Sequence, residues 1–296
     1  MRVLVVGHKG QLGTDLMGYA RRHGIDALGA GRPEYDITRM ETVERLFADA
    51  GPLDAVINAA AYTAVDRAES DAEAAYAVNR DGAGHLARVC GRQRIPLIHI
   101  STDYVFGGEQ TRPCRPLDRV RPQGVYARSK ADGEAAVRQG TDRHIILRVS
   151  WLFGLHGGNF VKTMLRLGKE REVIKVVDDQ MGAPTYAGDL ADACLQVAQR
   201  AQGGFTGWGT YHYSNQGALS WFTFAREILT LAASFEELAV REIVPITTAD
   251  YPTAAPRPHY SVLDCTSFDQ TFRIPRRSWE TALSEMLTLL YTPKQA

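Results

Sequence analysis

The chain has 296 residues, 45% of them hydrophobic and 23% charged, which is enough to bury a substantial core without cross-links. Its 34 basic side chains balance 34 acidic ones and no like-charge run stands out, which argues against a nucleic-acid surface or a membrane-surface helix. The four cysteines, Cys90, Cys114, Cys194 and Cys265, are widely separated, the start "MRVLVVG" is too short for a signal sequence, and no apolar run reaches a membrane span. A reducing, cytoplasmic setting is expected.

The first half alternates short apolar runs with helical spacing. "RVLVV" (2–6), "LDAVINAA" (53–60), "IPLIHIS" (95–101) and "HIILRVS" (144–150) read as buried strands. Between them, "TDLMGYARRHG", "METVERLFADA", "EAAYAVNRDGAGHLARVCGRQ" and "ARSKADGEAAVRQG" read as helices. The expected fold is α/β, a doubly wound parallel sheet of Rossmann type over residues 1–150. Residues 151–296 read mainly as a smaller substrate-binding region, with some segments returning to the sheet. In that region "PITTADYPTAAPRPHYS" holds four prolines and reads as an ordered loop.

Taken along the chain, the first strand runs into "GHKGQLG", with Gly7, Gly10 and Gly13 before a helix. A tight turn, a close backbone approach and a free helix N-terminus together suit a dinucleotide's diphosphate. The G-x-x-G-x-x-G spacing resembles the extended branch of the short-chain dehydrogenase superfamily. The second strand should end in "DALGAGR", where an acid would bond the ribose hydroxyl of NAD. Glycines and Arg32 stand there instead. A guanidinium suits a 2′-phosphate, although a surface arginine in a turn reads equally well. "YDIT" supplies Asp36 and Ile37, which match the superfamily's adenine contact. "NAAAYT" puts Ala59, Ala60 and Ala61 at a strand end, leaving room for the cofactor. Asn79 and Gly82 resemble the superfamily's N-x-x-G helix, in which the asparagine supports the active site.

"HISTDYVF" ends a strand at Thr102 and Asp103, and "VYARSK" follows with Tyr126 and Lys130 one helical turn apart. A hydroxyl followed by Tyr-x-x-x-Lys resembles the active-site signature of the superfamily. The adjacent ammonium is expected to lower the tyrosine's pKa. With "STDYVF", "TAVDRAE", "DDQMGAPT" and "RPHYSVLD", the whole chain resembles the dTDP-4-dehydrorhamnose reductase family. The resemblance implies NAD(P)H-dependent reduction of the C4 ketone of dTDP-4-dehydro-β-L-rhamnose, with NADPH preferred and NADH usable, by a monomer or homodimer.

Carried over, the resemblance implies Thr102, Tyr126 and Lys130 as catalytic residues. Cofactor contacts fall at Gly7, Gly10, Gln11, Leu12, Gly13, Arg32, Asp36, Ile37, Ala59, Ala60, Ala61, Ile100, Tyr126 and Lys130. Substrate contacts fall at Thr102, Asp103, Trp151 and Arg257, the last a candidate diphosphate clamp or a structural arginine. Two departures stand out. Ala127 replaces the family's usual glycine, and loop 109–124 is rich in arginine and proline. Some members bind magnesium between subunits through acidic residues. One such position falls at Gly188, so no metal site is carried over. Another nucleotide-4-keto-6-deoxysugar reductase, an epimerase, or a non-catalytic regulatory subunit of this fold remain the alternatives.

Overall fold

A computed structural model describes residues 1–292. Five strands, β1 (Arg2–Val6), β2 (Asp26–Ala30), β3 (Ala55–Asn58), β4 (Leu97–Thr102) and β5 (His144–Val149), are joined by a sixth, Gly209–Tyr213. They pair in the order β2-β1-β3-β4-β5 and then Gly209–Tyr213, all parallel. β3 is buried throughout and β1 nearly so, as expected of strands covered on both faces. Leu12, Leu16, Leu190 and Phe268, from helices Gln11–Arg22, Ala187–Arg200 and Thr266–Phe272, cover one face. Val43, Leu86 and Val137, from helices Met40–Ala50, Ala83–Gln93 and Gly124–Gly140, cover the other.

The strand order reverses at β1, so the connections after β1 and β3 leave the sheet on opposite sides and open a crevice at their carboxyl ends. Gly7 sits there at φ +83°, and a Cβ on it would lie 2.6 Å from the Ala60 nitrogen. No larger residue fits this turn.

The C-terminal half divides its segments between the sheet and a second lobe. The strand Gly209–Tyr213 and helices Ala187–Arg200 and Thr266–Phe272 belong with the sheet. Helices Phe160–Glu170, Trp221–Ala232 and Trp279–Tyr291 form a separate core around Phe153, Phe224 and Trp279. Strand Val173–Val177, paired in parallel with Glu242–Ile246, lines this lobe. Segment 247–261 is a loop with one short helical turn at Thr248–Asp250, as its prolines imply.

Candidate active site

Helix Gly124–Gly140 carries Tyr126 and Lys130, both buried, on the side facing β4. Three features fix its position. The Glu69 carboxylate accepts the Val125 N–H (2.7 Å) at the helix start. Gly133 lets the helix cross the turn of π-helix Ala77–Gly82, since a Cβ there would lie 2.0 Å from the Asn79 carbonyl oxygen. Asn79 Nδ2 donates to Ser129 Oγ (3.0 Å) and to the Tyr62 carbonyl (3.1 Å), while its Oδ1 accepts the Tyr62 N–H (2.8 Å). Asn79 thus ties the segment after β3 to the helix bearing Tyr126. A π-helical turn at such a junction is a common companion of functional sites.

Thr102 closes β4 beside Tyr126. Its hydroxyl donates to Asp103 Oδ1 (3.0 Å) and accepts the Tyr104 N–H (3.2 Å). Asp103 is 2% exposed, and its Oδ2 has no hydrogen-bond partner among the described residues. Burial pushes the Asp103 carboxyl up to about 6, against the lowering effect of the Ser261 and Thr102 hydroxyls. The Ser261 hydroxyl acts on this carboxylate without meeting full hydrogen-bond geometry, so Oδ2 keeps acceptor capacity for a further donor.

Lys130 Nζ donates to the Ile100 carbonyl (2.7 Å), and burial pushes its ammonium down to about 8, with Glu134 opposing. The phenol of Tyr126 moves opposite to the sequence expectation. Burial pushes it up to about 12, Asp103 adds to the rise, and only the Thr102 hydroxyl opposes it. Spacing places the two side chains one turn apart, but the lysine is engaged by a β4 carbonyl and desolvation of the phenolate dominates.

At the crevice, helix Gln11–Arg22 begins at Gly10 with no side-chain cap and no acidic residue in its first turn. Its first N–H groups and positive dipole end are therefore available to an anion. Gly13 packs the helix onto the turn, where a Cβ would lie 2.1 Å from the Gly7 carbonyl oxygen. These features fit a dinucleotide's diphosphate. Ala59 and Ala60 lie against the crevice and Ile37 is buried nearby against Gly82. Asp36 Oδ1 accepts the Thr38 N–H (3.0 Å). Arg32 is exposed just past β2 and makes no ion pair or hydrogen bond among the described residues. His8 packs over Gly29, with its Nδ1 buried and without a hydrogen-bond partner among the described residues.

Beside Thr102, Tyr126 and Lys130 lies a cleft of about 1070 Å³ between the two lobes, lined by Tyr104, Trp221, Arg171, Lys175, Tyr251 and Arg257 among others. None of these three lines it, but two aromatic pairs connect it to Tyr126 and to Trp151. Tyr104 meets Tyr126 edge to face at 5.6 Å, and Trp221 stacks on Trp151 at 3.5 Å. Trp151 holds the left-handed backbone conformation (φ 48°), strained for a tryptophan, and its indole is wedged between Trp221 and Gly182. Arg257 faces the same cleft, but its guanidinium donates to Asp66 Oδ2 (2.6 Å), and Asp66 Oδ1 accepts the Ala255 N–H (3.1 Å). Asp66 and Glu69 of "TAVDRAE" therefore secure the proline-rich loop and the helix of Tyr126.

A family model described as the RmlD substrate binding domain matches residues 1–292. The dTDP-4-dehydrorhamnose reductase of Aggregatibacter actinomycetemcomitans is 41% identical over 96% of this chain and 98% of its own length. The chain belongs to this family. A second relative of the same name, from Sinorhizobium fredii, is 40% identical over 98% of both chains. A crystal structure of dTDP-4-dehydrorhamnose reductase from Bacillus anthracis in complex with NADP superposes with a TM-score of 0.90 at 36% identity, covering 97% of this chain and 99% of that one.

Sequence reading missed the roles of Trp221, Tyr104, Ser261, Asp66 and Glu69. All but Trp221 stand in the motifs that carry the family resemblance, Tyr104 in "STDYVF", Ser261 in "RPHYSVLD" and the two carboxylates in "TAVDRAE".

Proposed function

We propose that this protein reduces the C4 ketone of dTDP-4-dehydro-β-L-rhamnose to dTDP-L-rhamnose, with NADPH preferred and NADH usable. The observation that carries the reading is the convergence of the Thr102 and Tyr126 hydroxyls and Lys130 at the end of β4, between the diphosphate crevice and the inter-lobe cleft. The NADP held by the Bacillus anthracis relative supports the cofactor. Bound cofactor supplies the hydride. The chain's own residues handle the oxygen. As negative charge develops there, the Thr102 hydroxyl turns from Asp103 to donate to it, and Tyr126 gives up its proton. Lys130 stays cationic at neutral pH, a partner for the ribose hydroxyls. Asp103 accepts from a sugar hydroxyl, and Trp151 reaches the ring once its stack with Trp221 opens. The cleft has the size and mixed lining to hold a thymidine diphosphate, with Arg171 and Lys175 beside the charge.

The test follows NADPH oxidation with dTDP-4-dehydro-6-deoxy-L-mannose and with its D-xylo epimer. Reduction of the first alone supports the proposal. A protein that purifies with NAD(H) bound and interconverts the epimers without net oxidation would be an epimerase.

Cofactor choice is expected to depend on Arg32. A charge-assisted bond to a 2′-phosphate contributes on the order of 1.5–3 kcal/mol, or roughly ten- to hundredfold in affinity. Arg32→Ala should lose most of the NADPH advantage and leave the NADH rate nearly unchanged. Equal weakening of both cofactors would mean that Arg32 shapes the loop and does not read the phosphate.

Asp103 should trade stability for function. Its folded carboxyl titrates near 6, above its ordinary value. The fold therefore holds a proton that the unfolded chain has released, and stability falls as pH rises toward 6 and stays reduced above it. Two pH units correspond to roughly 3 kcal/mol at neutral pH. Asp103→Asn keeps an acceptor for Thr102 and removes the charge. It should raise the urea midpoint at pH 7 and weaken substrate binding at least ~10-fold. A lowered midpoint at pH 7 would refute the stored cost.

A further inference from the structure

A cluster behind the catalytic lysine has no part in the chemistry above. Glu134 follows Lys130 by one turn on the same helix and is fully buried. Its Oε1 accepts from Ser101 Oγ (2.7 Å) on β4 and from Arg148 Nε (2.8 Å) on β5. Its Oε2 accepts from Arg148 Nη2 (2.7 Å) and from Arg138 Nη2 (2.8 Å). Arg148, itself 2% exposed, donates onward to the Pro116 carbonyl (3.1 Å) in the arginine- and proline-rich loop. One carboxylate thus takes four hydrogen bonds and joins the helix of Tyr126 and Lys130 to two central strands.

We infer that Glu134 is a positioning residue for the reduction, held by Arg148 so that its negative charge keeps the buried Lys130 ammonium protonated and turned to the Ile100 carbonyl.

Buried ion pairs contribute little net stability, because desolvation offsets the attraction, so a purely stabilising role is weakly motivated. The surroundings of Lys130 make an electrostatic role specific. On its own helix it is faced by Tyr126, which stays neutral, and by Glu134. From β4 it is faced by the Ile100 carbonyl and by His99, whose imidazole burial and Lys130 itself keep neutral. Asn79, on the neighbouring π-helix, carries no charge, Asp103 acts on Tyr126, and the Arg148 and Arg138 guanidiniums are paired with Glu134 itself. Glu134 is therefore the anion that opposes the desolvation of Lys130. Burial would raise the Glu134 carboxyl, but Arg148, Ser101 and Arg138 hold it down at about 2, so its charge persists at every working pH.

The inference rests on the reduction proposed above only for its kinetic consequence. Its direct readout is the protonation of Lys130, followed by the 13Cε resonance of 13C-lysine-labelled protein and identified by its loss in Lys130→Met. Two variants are compared with wild type. Glu134→Gln removes the charge. Glu134→Leu/Arg148→Met removes the pair together, a replacement that buried ion pairs tolerate, and stands in if the single variant fails to fold. The Lys130 midpoint, near 8 in wild type, should fall by about one pH unit, a tenfold loss of proton affinity. The alkaline limb of NADPH-dependent turnover should move down with it. An unmoved midpoint in a folded variant overturns the inference, whatever happens to turnover. A midpoint that moves in a protein unable to reduce the keto-sugar upholds the positioning of Lys130 and overturns the functional reading instead.

Discussion

Tyr126→Phe is expected to lower turnover at least ~100-fold while leaving cofactor affinity nearly unchanged, the usual scale for losing a general acid. The ring can stay where it is, edge to face with Tyr104, so the change is confined to one hydroxyl. Burial pushes that hydroxyl up to about 12, so it remains protonated across the physiological range. A donor that never empties is a reliable acid at neutral pH. As the proposed acid it would yield its proton only when alkoxide charge develops against it, since an alkoxide is the stronger base. Wild type should consequently show no loss of activity from phenol ionisation below pH 10, and any alkaline limb near 8 belongs to another group. Stopped-flow rates with saturating NADPH distinguish the cases. Near-normal turnover in Tyr126→Phe would remove this residue from the mechanism. A residual rate well above the uncatalysed one is expected, because the Thr102 hydroxyl still faces the developing charge.

What the sequence exposed and what it concealed follow different physics. β1 and β3–β5 were readable because strands covered on both faces are continuous apolar runs, and their observed limits, such as Leu97–Thr102 within 95–101 and its neighbour, differ from the reading by a few residues at most. The glycine loop was readable because turn geometry constrains residue type. The long helix read over 73–93 is in fact Ala72–Tyr76, a π-helical turn and Ala83–Gln93. Periodicity could not reveal this, because the extra residue is accommodated where Asn79 reaches across to Tyr62 and Ser129, which are tertiary partners. Trp221 opens helix Trp221–Ala232, and nothing local in the sequence marks it. Its meaning comes from the stack on Trp151, 70 residues earlier in the chain. The direction of the Tyr126 shift was misread for a related reason. Spacing along a helix reports adjacency, whereas desolvation depends on everything packed around the pair. Arg257 shows the same limit, since the sequence offered a cation for a diphosphate and the fold gives its guanidinium first to Asp66.

Lys130→Met should separate function from stability. Burial drives the ammonium from its ordinary value down to about 8. For a base, a lowered folded value means that the fold disfavours the charged form. Stability is therefore reduced at neutral pH and recovered as pH rises through 8 toward the unfolded value. A depression of about 2.5 units corresponds to roughly 3 kcal/mol. Methionine has a similar reach and no charge, so it removes that cost. It also leaves the Ile100 carbonyl without its donor, at about 1–3 kcal/mol. The two terms nearly cancel, and the variant should have a urea midpoint at pH 7 close to or above that of wild type. Function should respond in the opposite sense. Without the cation both NADPH affinity and turnover should fall, turnover by at least ~10-fold. The alkaline limb expected of wild type near 8, where the lysine loses its proton, should vanish, so that residual activity persists to higher pH. Parallel denaturation and pH–rate measurements check both halves. A midpoint lowered by several kcal/mol would make Lys130 a structural residue whose loss disables the site indirectly. An alkaline limb that survives the substitution would assign that titration elsewhere. A stable variant with depressed turnover and no limb would mean that the fold keeps a costly buried charge because the reaction uses it, the trade expected where a site is built against the stability of its own scaffold.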